Sequence, residues 1–121
     1  MNESTPASAG KLEFIDNLAQ HVDYSPGATA SKKVLSAEGV NVVLFAFDEG
    51  QELSEHSAAM PVIVQALEGE LEITGGGETV TLRPGGLVHF TTRLPHAVKA
   101  ITKAKMVLYM LCLLYTSLMA R

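Results

Sequence analysis

Short apolar runs, each closed by glycine, proline or a charged pair, follow one another along the chain from Ala28 onward. None of these runs is long enough or periodic enough for a stable helix, and short apolar segments between turn residues are typical of β-strands. Turns are predicted at 75–77, which are three glycines, and at 83–86, which read Arg-Pro-Gly-Gly. The pattern predicts eight strands: Thr29–Ser36, Val40–Asp48, Val62–Glu68, Glu70–Thr74, Thr79–Leu82, Leu87–Thr91, His96–Ala100 and Lys103–Leu111.

The segment before these strands has a different pattern. Between Leu12 and Val22, apolar residues recur at helical spacing, which predicts a short helix or turn. Further on, the run Val42–Phe47 is apolar at consecutive positions, so both faces of that strand are expected to be buried. We expect it to lie between a barrel interior and another layer. Eight short strands at this spacing predict an all-β sandwich or barrel.

Length and charge narrow the function classes. The chain has 121 residues, enough for one domain, and its net charge of −4 with scattered basic residues weighs against nucleic acid. The longest apolar run, 106–120, contains polar residues and is too short for a membrane-spanning helix. One cysteine, Cys112, leaves no internal disulfide. These features predict a cytoplasmic protein with a flexible tail at 1–11 and one domain at 12–111.

A glycine–histidine pattern follows the second predicted strand. Gly50 precedes His56 by five intervening residues, and Gly69 follows Val62 by six. This spacing resembles the first motif of the cupin family, in which glycine is followed by His-x-His, a glutamate and a second glycine. Ala58 stands at the position of the second histidine and Val62 at that of the glutamate. Two of the three metal ligands of this motif are therefore replaced.

The second cupin motif has a partial counterpart downstream. Gly85 and His96 stand where that motif has its glycine and histidine. Thr91 and Arg93 replace its proline and glycine, and Ala100 replaces its asparagine. The resemblance implies a double-stranded β-helix, which is a jelly-roll barrel. The stretches 55–73 and 95–100 look like a branch of small, uncharacterised bacterial cupins that also lack the second histidine and the glutamate. The residues beyond Leu111 do not look like this branch, so an atypical tail is expected at 112–121.

The resemblance implies that His56 and His96 converge inside the barrel. A divalent metal ion (Zn, Fe, Mn or Ni) is one interpretation of this pair, although a catalytic ion usually has three protein ligands. Two imidazoles that hydrogen-bond to each other, backbone or water are the other. Simple strand alternation places Glu52 on the same face as His56, but too far along the strand to act as a third metal ligand, and it places Glu55 on the opposite face. The side chains expected to line a pocket beside the pair are Met60, Val62, Val64, His89 and Phe90. The alternative is that the apolar ones simply fill the interior of a small barrel.

Two functions remain open at this point. An apolar pocket with two imidazoles fits a module that binds a small organic ligand. A cupin enzyme is the alternative, either a metal-assisted dioxygenase, isomerase or lyase, or a metal-free catalyst that uses the two histidines as acid and base. The resemblance to small cupins, which are commonly homodimers, implies a homodimer, and the apolar segments Val42–Phe47 and Met106–Leu114 are consistent with a buried face between two copies.

Overall fold

The computed structural model describes residues 10–112. Within that range the chain forms one short 3₁₀ helix, Leu18–His21, followed by β-strands to the end. The strands are β1 (Thr29–Ala37), β2 (Val40–Phe47), β3 (Glu52–His56), β4 (Val62–Glu68), β5 (Leu71–Gly75), β6 (Glu78–Leu82), β7 (Leu87–Phe90), β8 (His96–Ala100) and β9 (Ala104–Leu111).

The strands form two antiparallel sheets. One sheet has the order β1-β2-β9-β4-β7 and the other β3-β8-β5-β6. Side chains from the inner faces of both sheets pack into one apolar core, to which the most deeply buried residues Phe47, Leu71 and Met106 belong. The structure therefore confirms the predicted all-β jelly roll, because sheets of this kind bury one face of every strand against each other.

A second apolar cluster lies on the outer face of the five-stranded sheet. Val42, Leu44 and Val107 are buried there against Val22, which follows the 3₁₀ helix. The expectation that β2 is covered on both sides is thus confirmed, and the covering layer is the N-terminal segment of the same chain. This outer face of β2 is not free to pair with a second copy.

A polar contact fastens that N-terminal layer to the sheet. Tyr24 donates a hydrogen bond to Glu68 Oε1 at 2.8 Å. Lys105, only 8% exposed, donates from Nζ to the carbonyl oxygen of Ala19 at 2.7 Å, and Nζ lies 4.9 Å from the centre of the Tyr24 ring. Burial and the bond to Glu68 raise the pKa of Tyr24 far above its ordinary value. The phenol therefore stays protonated and keeps donating.

Two predicted elements differ from the structure. The helix expected within 12–22 is reduced to the four residues Leu18–His21. Strand β3 (Glu52–His56) is missing from the eight predicted strands, because its sequence ELSEH has one apolar residue and four of its five side chains are exposed. An edge strand with so few buried positions leaves no apolar pattern to detect. The predicted tails at 1–11 and 112–121 lie almost entirely outside the described residues.

No helix among residues 10–112 is both long and apolar enough to cross a membrane. The expected homodimer and cytoplasmic location stay predictions.

Candidate functional site

His56 and His96 lie beside each other on neighbouring strands. His56 ends β3, His96 begins β8, and the two residues are direct partners in the antiparallel ladder. Their ring centroids are 4.5 Å apart, and the rings meet edge to face at 63°. His96 is 4% exposed, whereas His56 is exposed to solvent. The pair thus has one buried ring and one ring that solvent reaches.

A β-bulge brings this pairing about. Leu53 pairs with Val98 and His56 with His96, so three residues of β3 span the same distance as two residues of β8. The bulge places Leu53 and His56 on the inner face together. Glu52 pairs with Lys99, whose side chain is exposed, so the expectation that Glu52 shares the face of His56 is wrong. The error arises because simple alternation does not hold across an inserted residue.

The same backbone contact orients both imidazoles. Nδ1 of His56 lies 2.8 Å from the carbonyl oxygen of Ser54, and Nδ1 of His96 lies 2.8 Å from that of Leu94. A carbonyl oxygen can only accept, so in each ring Nδ1 carries the proton and donates it. In a neutral imidazole the remaining nitrogen, Nε2, then bears a lone pair.

Burial favours the neutral form of the inner ring. Loss of hydration lowers the pKa of His96 from its ordinary value, the bond to Leu94 acts in the opposite direction, and the neighbouring His56 lowers the pKa further. His96 is therefore uncharged at neutral pH, and its Nε2 is a hydrogen-bond acceptor.

An aromatic ring supports His96 from the other side. The Phe90 ring stacks on it with the centroids 4.0 Å apart and the planes within 5° of parallel. Phe90 is 5% exposed and pairs with Val62 across β7 and β4. The imidazole of His96 is thus held between a phenyl ring and the ring of His56, which restricts its rotation.

The predicted pocket residues divide into three groups. Val62 and Val64 are buried in the core, and Met60 is 39% exposed in the loop before β4. Phe90 and His89 line a cavity of about 250 Å³ where β6 and β7 lie at neighbouring edges of the two sheets. The full lining is Ile73, Gly75, Glu78, Val80, Val88, His89, Phe90 and Leu94.

The position of His89 follows from its strand. His89 pairs with Ile63, and its exposed side chain alternates with buried Phe90, so it lies on the opposite face of β7 from the ring that contacts His96. His89 therefore does not join the imidazole pair. Phe90 separates the pair from the cavity and contacts both.

The loops that carry the altered motif positions meet at the same end of the barrel. The backbone N–H of Arg93 donates to the carbonyl oxygen of Ala58 at 2.8 Å, which ties the loop after β7 to the loop after β3. Arg93 has a φ of 62°, the left-handed conformation that glycine adopts without strain. An arginine at this position retains the backbone shape that the motif glycine supplies.

The donor set does not fit a catalytic metal. Such an ion usually needs three protein ligands, and the described part of the chain has no cluster of three or more histidine, cysteine, aspartate or glutamate side chains suited to a metal ion. Ala58 and Val62 occupy the positions at which ligands would complete the set. The pair offers two imidazole nitrogens and an apolar surrounding.

Sequence and structure comparisons identify relatives of the same architecture. The family model for the cupin domain matches residues 43–112. No curated protein matches the chain.

Several solved structures share the fold. A cupin superfamily protein from Desulfitobacterium hafniense superposes with a TM-score of 0.74 at 23% identity over 78% of this chain and 86% of that one. An RmlC-like cupin from Desulfovibrio desulfuricans gives a TM-score of 0.73 at 26% identity, covering 84% of this chain and 97% of that one. A cupin 2 conserved barrel domain protein from Leptotrichia buccalis gives 0.74 at 29% identity, covering 79% of this chain and 47% of the longer relative.

Proposed function

Because this chain belongs to the cupin domain family, we propose that it binds a small organic ligand through the imidazole pair of His56 and His96. The observation that carries the proposal is the orientation of the two rings. Each uses its Nδ1 proton on a backbone carbonyl, and within residues 10–112 neither Nε2 has a hydrogen-bond partner. Two oriented polar atoms with free capacity are what a binding site needs to orient a ligand.

The exposure of the pair supports access from solvent. His56 is exposed, so a ligand reaches its ring without opening the barrel. His96 is almost fully buried behind it, so a ligand that contacts both rings loses water on at least one side. A hydrogen bond made in such a partly desolvated place is stronger than one made in open water.

The surroundings of the pair favour an apolar ligand body. Leu53 lies next to His56 on the inner face, and Ala58 follows two residues later; both are partly exposed and pack against the core. Where the cupin motif has a glutamate, Val62 contributes apolar surface to the same interior. Burial of apolar ligand surface contributes about 25 cal/mol per Å², so a site of this kind gains affinity mainly from the ligand body and orientation from the imidazoles.

The proposal does not depend on a metal ion. The chain supplies two imidazoles where a catalytic ion usually has three ligands, and the binding that we propose uses their lone pairs directly. A divalent ion held by this pair alone would take most of its ligands from water or from the organic molecule. Inductively coupled plasma analysis of untagged protein tests this alternative, because it measures the amount of metal bound per chain.

A thermal-shift screen of small aromatic and aliphatic alcohols and acids tests the proposal. We expect at least one probe to raise the melting temperature of the wild-type protein, because a ligand that binds only the folded state stabilises it. The same probe is expected to give a smaller shift with His56→Ala, whose exposed side chain is not needed for folding. His89→Ala is the matched control, since His89 is an exposed histidine on the other face of β7.

Either of two results contradicts the proposal. The first is that no probe stabilises the wild-type protein. The second is that the His56→Ala and His89→Ala proteins respond to every stabilising probe as the wild type does, because binding would then occur away from the imidazole pair.

A further inference from the structure

We infer that the ligand of the imidazole pair is an uncharged apolar molecule that donates a hydrogen bond from a hydroxyl group. The inference rests on the proposed function and specifies the chemical class of its ligand. It follows from three features of the site: the atoms on which the ring protons lie, the charges around the rings, and the contacts that hold the rings in place.

The first step concerns hydrogen-bond polarity. The carbonyl oxygens of Ser54 and Leu94 each accept a hydrogen bond from an Nδ1–H, which leaves Nε2 as the acceptor of a neutral ring. An ionised carboxylate also has acceptors only. The oxygens of a carboxylate and the Nε2 atoms of this pair would therefore all be acceptors and could not hydrogen-bond to each other, whereas a hydroxyl group supplies the missing donor.

The second step concerns charge. His96 is 4% exposed and lies between the rings of Phe90 and His56, so the buried ring is poorly placed to carry a positive charge that would attract an anion. Glu55 immediately precedes His56, and the chain as a whole carries a net charge of −4. The loop between β7 and β8 carries Arg93, which is exposed, has no ion pair among residues 10–112 and is hydrogen-bonded through its backbone to the loop after β3. Arg93 is a group that favours an anion, and the experiment below includes a probe for it.

The third step concerns rigidity. The Phe90 ring stacks at 4.0 Å on His96, and the Nδ1 bonds fix the orientation of both imidazoles. Reversing a ring to present an N–H to the ligand would break a 2.8 Å hydrogen bond and leave a carbonyl oxygen without its donor. Recognition of a donor needs no such rearrangement, so the site is already organised for a hydroxyl group.

The protonation pattern is measured first, without any ligand. Protein labelled with ¹⁵N at histidine, studied by NMR at pH 7.5, is expected to show Nδ1 as the nitrogen that carries the proton in both His56 and His96. The His56→Ala and His96→Gln proteins assign the two sets of signals. Finding either ring protonated at Nε2 overturns the inference, whatever the protein binds.

Three probes of similar size then compare ligand classes at pH 7.5. Phenol has a hydroxyl donor, anisole is the same ring with that donor replaced by a methyl ether, and benzoate carries a negative charge. We expect phenol to bind about fivefold more tightly than anisole, since one net hydrogen bond contributes about 1 kcal/mol. Benzoate is expected to bind more weakly than phenol. Titration by NMR on the labelled histidines reports affinity and location together.

The variants separate this inference from the proposed function. The preference for phenol over anisole should weaken in His56→Phe, which keeps a ring but removes one of the two acceptors, and persist unchanged in His89→Phe. If benzoate binds best and its binding is lost in His56→Phe or Arg93→Gln, the donor inference is wrong while ligand binding at the pair stands. If none of the three probes shifts the His56 or His96 signals, the donor inference is overturned. The proposed function is then judged by the wider thermal-shift screen.

Discussion

Replacing Gly69 with alanine tests how closely two turns of the barrel must approach each other. Gly69 lies between β4 and β5 with a φ of +72°, and a Cβ added there would overlap the carbonyl oxygen of Lys103 and lie 2.8 Å from Oγ1 of Thr102. Thr102 itself accepts a hydrogen bond from the backbone of Glu70 and donates one to Lys103. The methyl group therefore meets backbone that cannot move without disturbing the start of β9.

Gly50 is the matched control, because it has a φ of +85° and a Cβ added there would meet nothing within 4 Å. Both substitutions incur the left-handed penalty of about 1–2 kcal/mol. Only Gly69→Ala adds the cost of overpacking, about 1–3 kcal/mol, so its total is about 2–5 kcal/mol. At about 4 °C per kcal/mol for a chain of this size, we expect the melting temperature to fall by roughly 4–8 °C for Gly50→Ala and roughly 8–20 °C for Gly69→Ala.

Differential scanning calorimetry of the two variants and the wild type measures both shifts. Equal losses in the two variants would refute the reasoning, because the close approach to Lys103 would then have no cost beyond that of the backbone conformation. A loss in Gly69→Ala larger than in Gly50→Ala, accompanied by faster amide exchange at the start of β9, supports it.

Three further predictions concern single residues. Because burial lowers the pKa of His96 in the folded state, the unfolded chain binds a proton there first as the pH falls below about 6.5, and the free energy of unfolding decreases. Urea unfolding at pH 7.5 and 5.5 should show that this decrease is smaller in His96→Gln than in the wild type and the same as in the wild type in His89→Gln. Arg93→Gly should gain roughly 0.5–1 kcal/mol of unfolding free energy, since relief of φ 62° outweighs the added chain entropy; a lower denaturation midpoint contradicts this. Lys105→Met leaves the Ala19 carbonyl without its donor and should cost about 1–3 kcal/mol, with faster amide exchange around the 3₁₀ helix.

The pattern of short strands predicted a sandwich or barrel, and the resemblance of the glycine and histidine spacing to the cupin motifs implied the jelly roll and the meeting of two imidazoles. Strand β3 could not be predicted in the same way. Its stability comes from pairing with β8 and from Leu53, and a five-residue edge strand with four exposed side chains has no apolar periodicity. The bulge after Leu53 was equally inaccessible, since any sequence of polar residues accommodates it.

The protonation state of the pair is also invisible in the sequence. It depends on the carbonyl oxygens of Ser54 and Leu94, and every residue has a carbonyl oxygen. These two carbonyl oxygens differ from others only in the backbone conformation two residues before each histidine, which brings the oxygen within hydrogen-bond distance of Nδ1. Likewise, the sequence left open whether Val62 and Val64 line a pocket or fill the barrel; they lie in the apolar core, and the cavity lies at the β6 and β7 edges.

The two altered motif positions and the orientation of the imidazoles have a joint consequence. Val62, at the position of a carboxylate in the cupin motif, is 4% exposed and pairs with Phe90, which in turn stacks on His96. A carboxylate at that position would lie in the apolar core, where an unpaired charge is strongly disfavoured. With valine there, this position supplies no negative charge to hold a proton or a cation at Nε2 of His96. The valine is therefore consistent with our proposal that the pair accepts a hydrogen bond from a neutral donor.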